Sequence, residues 1–251
     1  MSGDYIIETR DLSKDFKGFT AVNSVDLRVR RGTVHALIGP NGAGKTTCFN
    51  LLTKFLEPSS GTILFDGRDI TRTAPADVAR LGMVRSFQIS AVFPQMTVLD
   101  NVRVSLQRPL GRSFHLWRSE SVLNELNDRA AALLADVGLS EYAAEHAGDL
   151  SYGRKRALEI ATTLALDPAM LLLDEPTSGM GHEDIGVIAA LIKRVAASRT
   201  ILMVEHNLGF VADLADRITV LARGEILAEG SYAEVSKNAE VMAAYIGTSH
   251  D

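Results

Sequence analysis

The eight residues GPNGAGKT, 39–46, satisfy G-x-x-x-x-G-K-[ST] at every fixed position, between the apolar run VHALI and the apolar-periodic stretch TTCFNLLTKF. A strand that feeds a glycine-rich turn and then a helix restricts the architecture severely, because strand end and helix start must meet at one edge of a sheet. Gly39, Gly42 and Gly44 let the backbone wrap around phosphate oxygens and present N–H donors, with the partial positive charge of the helix start behind them. Lys45 supplies a point charge to the β- and γ-phosphates, and Thr46 offers its hydroxyl to Mg2+. The plain alternative is a glycine-rich turn that happens to precede a Lys-Thr pair, and the strand and helix flanks weigh against it. Cys48, on the following helix, is read as a small buried packing residue.

The rest of the chain must supply the sheet. Short apolar runs bounded by turns, MLLLD and TILMV, are separated by the helical pattern EDIGVIAALIKRVAAS. This alternation predicts a parallel sheet covered on both faces. YIIET, VDLRV and TILFD add strands near the start, and DRITVLARGEILAEG predicts two strands joined at Arg223 and Gly224. From Gln88 to Ala165 the pattern is mostly helical, with TVLDNVRVSL, SVLNELNDRAAALLADVGL and LSYGRKRALEIA. The predicted fold is one α/β domain over residues 1–251: a P-loop NTPase (RecA-like) core with an N-terminal antiparallel β region, residues 1–88 and 166–251, and an inserted α-helical subdomain, 89–165. The basic stretch LQRPLGRSFHLWRSE is predicted to be a loop.

Of the 251 residues, 46% are hydrophobic, ample for a core, and the formal net charge of −5 argues against a broad nucleic-acid footprint. One cysteine excludes a disulfide framework or a Cys-rich zinc site. The acidic start MSGDYIIETRD does not resemble a signal peptide, and no segment reaches the roughly 20 apolar residues of a membrane helix. The protein is expected to be soluble or peripheral to a membrane.

A phosphate loop that holds a metal needs a carboxylate from a neighbouring strand end. MLLLDEP supplies Asp174 for Mg2+ and Glu175 to take a proton from attacking water, with Pro176 turning the chain at the strand's carboxyl end. TILMVEH repeats the geometry and predicts that His206 emerges on the same edge as a γ-phosphate sensor; a lone surface or core histidine is the competing reading. Gln88, in RSFQIS, stands where strands give way to helices and is a candidate to touch metal or water. The head of LSYGRKRALEIA places Ser151, Tyr152 and Gly153 at a helix start, a second place able to hold an anion.

Together, GPNGAGKTT, the Gln88 loop, LSYGRKR, MLLLDEP and His206 resemble, in order and spacing, an ATP-binding cassette (ABC) ATPase over nearly the whole chain. The resemblance implies that residues 39–47, including Pro40, Asn41, Ala43 and Thr47, bind ATP, and that two cassettes meet head to tail. Ser151 and Gly153 would then contact the γ-phosphate of the partner's ATP. Phe16, in KDFKG, would stack on adenine, although a core phenylalanine is a competing reading. RSFQISAVFPQMTVLDNV, SGMGHED, VEHNL and NAEVMAAYIG further resemble the ATPase subunits of branched-chain or hydrophobic amino-acid importers. This implies permease subunits and a second ATPase, identical or homologous, as partners, a periplasmic or extracellular solute-binding protein indirectly, no nucleic acid, and a peripheral position on the cytoplasmic face of the inner membrane. The permease would dock beside residues 89–96, with Val92 in the core rather than Phe93. Departures are Tyr152 and Arg154 in the signature and Gly181 where an aspartate is usual; residues 178–181 are still expected at the dimer interface. Rival readings are a lipid or lipopolysaccharide exporter subunit, a soluble ABC ATPase and a nonhydrolysing switch or scaffold. Intact Lys45, Asp174 and Glu175 oppose the last.

Overall fold

The computed structural model describes residues 4–86, 92–107 and 120–246. The chain opens with β1 (Tyr5–Phe16), β2 (Phe19–Val25) and β3 (Arg28–Arg30), then β4 (Val34–Ile38) leading into α1 (Lys45–Leu52). β5 (Ser60–Phe65), β6 (Arg68–Asp69), α2 (Pro75–Arg80) and β7 (Met83–Ser86) follow. α3 (Val98–Gln107), α4 (Glu120–Asp136) and α5 (Tyr152–Leu164) come next. Alternation then resumes with β8 (Met170–Asp174), α6 (His182–Ala196), β9 (Thr200–Val204) and α7 (Leu208–Leu214). β10 (Arg217–Ala222), β11 (Glu225–Gly230), α8 (Tyr232–Val235) and α9 (Ala239–Ile246) complete it.

Two sheets form. In the central one the order is β11-β10-β4-β9-β8-β7, parallel from β10 to β7, with β11 antiparallel at one edge. The other is antiparallel, β2-β1-β5-β6 with β3 also on β1. Every residue of β4, β8 and β9 is buried, as continuous apolar runs require when both faces are covered. Alternate side chains feed two cores. Ala36, Ile38, Leu171 and Leu173 pack toward the helical side, while Leu37, Leu172 and Leu202 pack with α1 and the antiparallel sheet. β7 and β8 are neighbours in the sheet, yet α3, α4 and α5 lie between them in sequence, so the helical segment is an insertion between adjacent strands.

Several boundaries differ from the sequence pattern. α1 ends at Leu52, three residues before the end of TTCFNLLTKF: Lys54 takes a left-handed φ of 63° and the Thr53 hydroxyl donates back to the Phe49 carbonyl at 2.8 Å. VDLRV does not form one strand, because β2 stops at Val25 and β3 begins at Arg28, each pairing a different part of β1. TILFD loses Asp66, which with Gly67 takes positive φ in the turn to β6. The Arg223-Gly224 turn is as expected, both residues at positive φ in a two-residue hairpin. The predicted basic loop lies largely outside the described residues.

Candidate functional site

At Gly39, φ is 152° and an added Cβ would lie 2.1 Å from the Leu221 carbonyl oxygen on β10, so the loop leaves the sheet too close to its neighbour for any side chain. Gly44 precedes α1 at φ 98°, where a Cβ would meet the Ala21 carbonyl at 2.4 Å. The loop is pinned by hydrogen bonds from Ala43 N–H to the Pro40 carbonyl and from Gly224 N–H to the Ala43 carbonyl. Asn41 and Gly42 at its tip are exposed, as is Thr46 at the start of α1. The first turn of α1 holds no acidic residue, so its N-terminal dipole stays available to an anion.

Lys45 folds back, its ammonium donating to the carbonyls of Gly39 at 2.7 Å and Pro40 at 2.9 Å. Burial holds its pKa below the ordinary lysine value, opposed by the charge of Glu175. Cys48 is fully buried, and burial pushes its thiol up to about 12, which suits packing and not nucleophilic chemistry.

Asp174 ends β8 and is 3% exposed. Its carboxylate pairs with Arg85 of β7, and its main-chain carbonyl accepts from Arg156 of α5 at 3.1 Å. Glu175 turns the chain with φ 43°, uncommon for a non-glycine residue, while its N–H still donates to the Val204 carbonyl at 2.9 Å. Asp174 is in register with Val204, so His206, two residues beyond β9, lies past the same carboxyl edge. Its side chain is 62% exposed. Thus the loop of residues 39–46, Asp174, Glu175 and His206 share the edge at which parallel sheets bind ligands.

Thr46 at the start of α1 and Asp174 at the end of β8 offer hard oxygen donors at the same edge of the central sheet. Among the described residues no cluster of three or more His, Cys, Asp or Glu side chains could cage a metal ion. That donor set suits Mg2+, which takes one or two protein oxygens and completes its shell with phosphates and water. Gln88 lies outside the described residues.

Ser151 is the N-cap of α5 as predicted, in extended geometry and without a side-chain capping hydrogen bond. Gly153 packs on α6 so closely that a Cβ would fall 2.5 Å from the Asp184 carboxylate. The exposed Tyr152 donates its hydroxyl to the Ser178 carbonyl at 3.1 Å, and Arg154 stacks over the Tyr142 ring at 4.1 Å. This helix start is therefore built with residues 178–184, and among the described residues no hydrogen bond ties Ser151 or Gly153 to the loop of residues 39–47. Two helix starts, those of α1 and α5, thus stand on separate parts of one chain.

Phe16 is 42% exposed at the end of β1, opposite Phe19 at 65%, so it is not a core residue. Val92 packs against the helical core and Phe93 is 53% exposed, as expected.

The sequence reading missed Glu205. Fully buried, its carboxylate accepts from Thr177 N–H and hydroxyl and from the N–H groups of His206 and Asn207, joining the segment after Glu175 to the one carrying His206. An acid directly after the apolar run TILMV was the available signal. Arg85 and Asp184 were missed for want of any, since only the folded chain brings them to Asp174 and Gly153.

Residues 22–178 match the ABC transporter family, and residues 225–251 match a branched-chain amino acid ATP-binding cassette transporter family. The chain is 38% identical over 249 residues to the high-affinity branched-chain amino acid transport ATP-binding protein BraF of Pseudomonas aeruginosa, covering 96% of this chain and 98% of BraF. It is 37% identical, with the same coverage, to the corresponding protein LivG of Escherichia coli. Among solved structures, an ATP-binding cassette of an ABC transporter in its ADP conformation superposes with a TM-score of 0.85 at 32% identity, covering 97% of this chain and 99% of that one.

Proposed function

The chain belongs to the ABC transporter family, and from that premise we propose that it is the ATP-binding and ATP-hydrolysing subunit of an importer for branched-chain or related amino acids. The observation that carries the reading is that similarity to such subunits runs through both the cassette and the C-terminal segment.

The whole chain acts as one nucleotide-binding domain, with residues 89–165 as its helical part. Residues 39–47 hold the ATP phosphates through backbone N–H groups, Lys45 leaves the Gly39 and Pro40 carbonyls for the β- and γ-phosphates, and Phe16 stacks on adenine. Thr46, Asp174 and Gln88 would hold Mg2+, whose charge offsets that developing on the phosphates. Glu175 takes the proton of attacking water and His206 meets the γ-phosphate. Ser151 and Gly153 close on the ATP of a second cassette, identical or homologous, with residues 178–181 at that interface. ATP between two surfaces joins them and hydrolysis lets them part.

Force must then reach a membrane protein. Phe55, Val78, Met83, Val84, Arg85 and Glu159 are among the residues lining a mostly apolar groove of about 290 Å3 between α2, β7 and α5, suited to a short apolar segment of a permease. Among the described residues no helix is long and apolar enough to cross a membrane. The peripheral position at the cytoplasmic face is assigned by similarity to transport ATP-binding proteins. A solute-binding protein is engaged only through the permeases.

A mild-detergent pull-down of tagged protein from its native cells tests this. Two multi-span permeases and a second cassette should be recovered. Soluble partners alone would contradict the transport reading.

A further inference from the structure

Between the groove and the nucleotide edge stands one arginine. Arg85 lines the groove, where its guanidinium lies 5.8 Å from the centre of the exposed Phe55 ring. The same guanidinium stacks on Phe49 at 5.3 Å and donates to Asn50 Oδ1 at 2.6 Å, both on α1, the helix that starts at the phosphate loop. Its remaining arm holds the Asp174 carboxylate. A second arginine braces the same strand end: Arg156 donates to the Asp174 carbonyl and to Glu159, another groove residue.

The guanidinium is a planar fork that cannot turn one arm without turning the other. Both members of the Arg85–Asp174 pair are largely buried, 14% and 4% exposed, so solvent screens the pair little and cannot replace a lost partner. Anything that moves the guanidinium in the groove therefore moves the charge against Asp174. Conversely, a cation brought to Asp174 competes with Arg85 and shifts the fork under Phe55. The coupling must run equally in both directions.

We propose that Arg85 is a positioning residue through which groove occupancy and the state of the Asp174 carboxylate are made interdependent. The proposal rests on the reading that Asp174 holds the metal of bound nucleotide.

A fluorescent reporter in the groove tests it without hydrolysis. Phe55→Trp combined with Trp117→Phe leaves one tryptophan, over the Arg85 guanidinium. Mg2+ with a non-hydrolysable ATP analogue should shift its emission, while calorimetry records binding independently. Adding Arg85→Met should abolish the shift with analogue still bound. Arg85→Lys, which keeps the charge and loses the fork, should retain less than half of it and serves if Arg85→Met does not fold. Binding with no emission change in the parent, or a shift undiminished by either Arg85 substitution, would overturn the proposal alone. No analogue binding in the parent would overturn the nucleotide reading, and the proposal with it.

Discussion

His35 sits in the middle of β4, the strand that delivers the phosphate loop, and is fully buried. Its Nε2 lies 2.8 Å from the Thr219 hydroxyl on β10, and its buried Nδ1 has no hydrogen-bond partner among the described residues. Burial pushes its pKa from 6.5 down to about 4; the nearby Glu229 opposes the shift and Arg217 adds to it. The unfolded chain thus takes up a proton near pH 6.5 that the folded chain refuses until about pH 4. Stability is unaffected above 6.5 and falls as pH drops through this window. At about 1.4 kcal/mol per pH unit, the interval from 6.5 to about 4 amounts to roughly 3 kcal/mol, a large part of a typical domain's stability. Urea unfolding of the wild type and His35→Gln at several pH values from 7.5 to 4 isolates the effect from carboxylates common to both. The wild type should lose roughly 3 kcal/mol more than the variant over that range. Parallel profiles would show instead that the folded protein accepts the proton as readily as the unfolded chain does.

Further substitutions probe the site. Glu175→Gln should still bind ATP yet lose hydrolysis by a factor on the order of 10² or more, read by single-turnover assay. Gly39→Ala places a methyl group 2.1 Å from the Leu221 carbonyl and should lower thermal stability together with ATP affinity, whereas the open Gly42 tolerates Ala sterically and should lose only through its φ of 77°. Gly153→Ala drives its methyl into the Asp184 carboxylate and should weaken ATP-driven cassette association, with Asp184→Ala in the same chain restoring part of it.

How much of this was legible before folding depended on whether a signal was local. The loop of residues 39–46, the buried strands β8 and β9 and the α5 start are each written in contiguous residues, so pattern and spacing located them. The hairpin at Arg223 and Gly224 was legible for the same reason. For β1 only the start, YIIET, was: its 12 residues pair with three different strands through register shifts, and only those partners define its length. β7, four residues long, carries too few positions for a period to show. Arg85 looked like any charge in a short strand until Asn50 and Asp174, 35 residues before it and 89 after it, were placed around it. Glu205 is a similar case: four hydrogen bonds to one carboxylate are a property of converging loops, although its position after an apolar strand hinted at it.

ATP turnover at this chain is proposed to drive amino-acid import. The direct measurement is uptake of radiolabelled leucine into proteoliposomes holding the purified permease–cassette complex, with ATP on the side of the cassettes and the solute-binding protein on the other. Uptake should depend on ATP and be abolished by Glu175→Gln. Uptake indifferent to that substitution, or ATP turnover with no leucine, isoleucine or valine transported, would contradict amino-acid import driven by this chain.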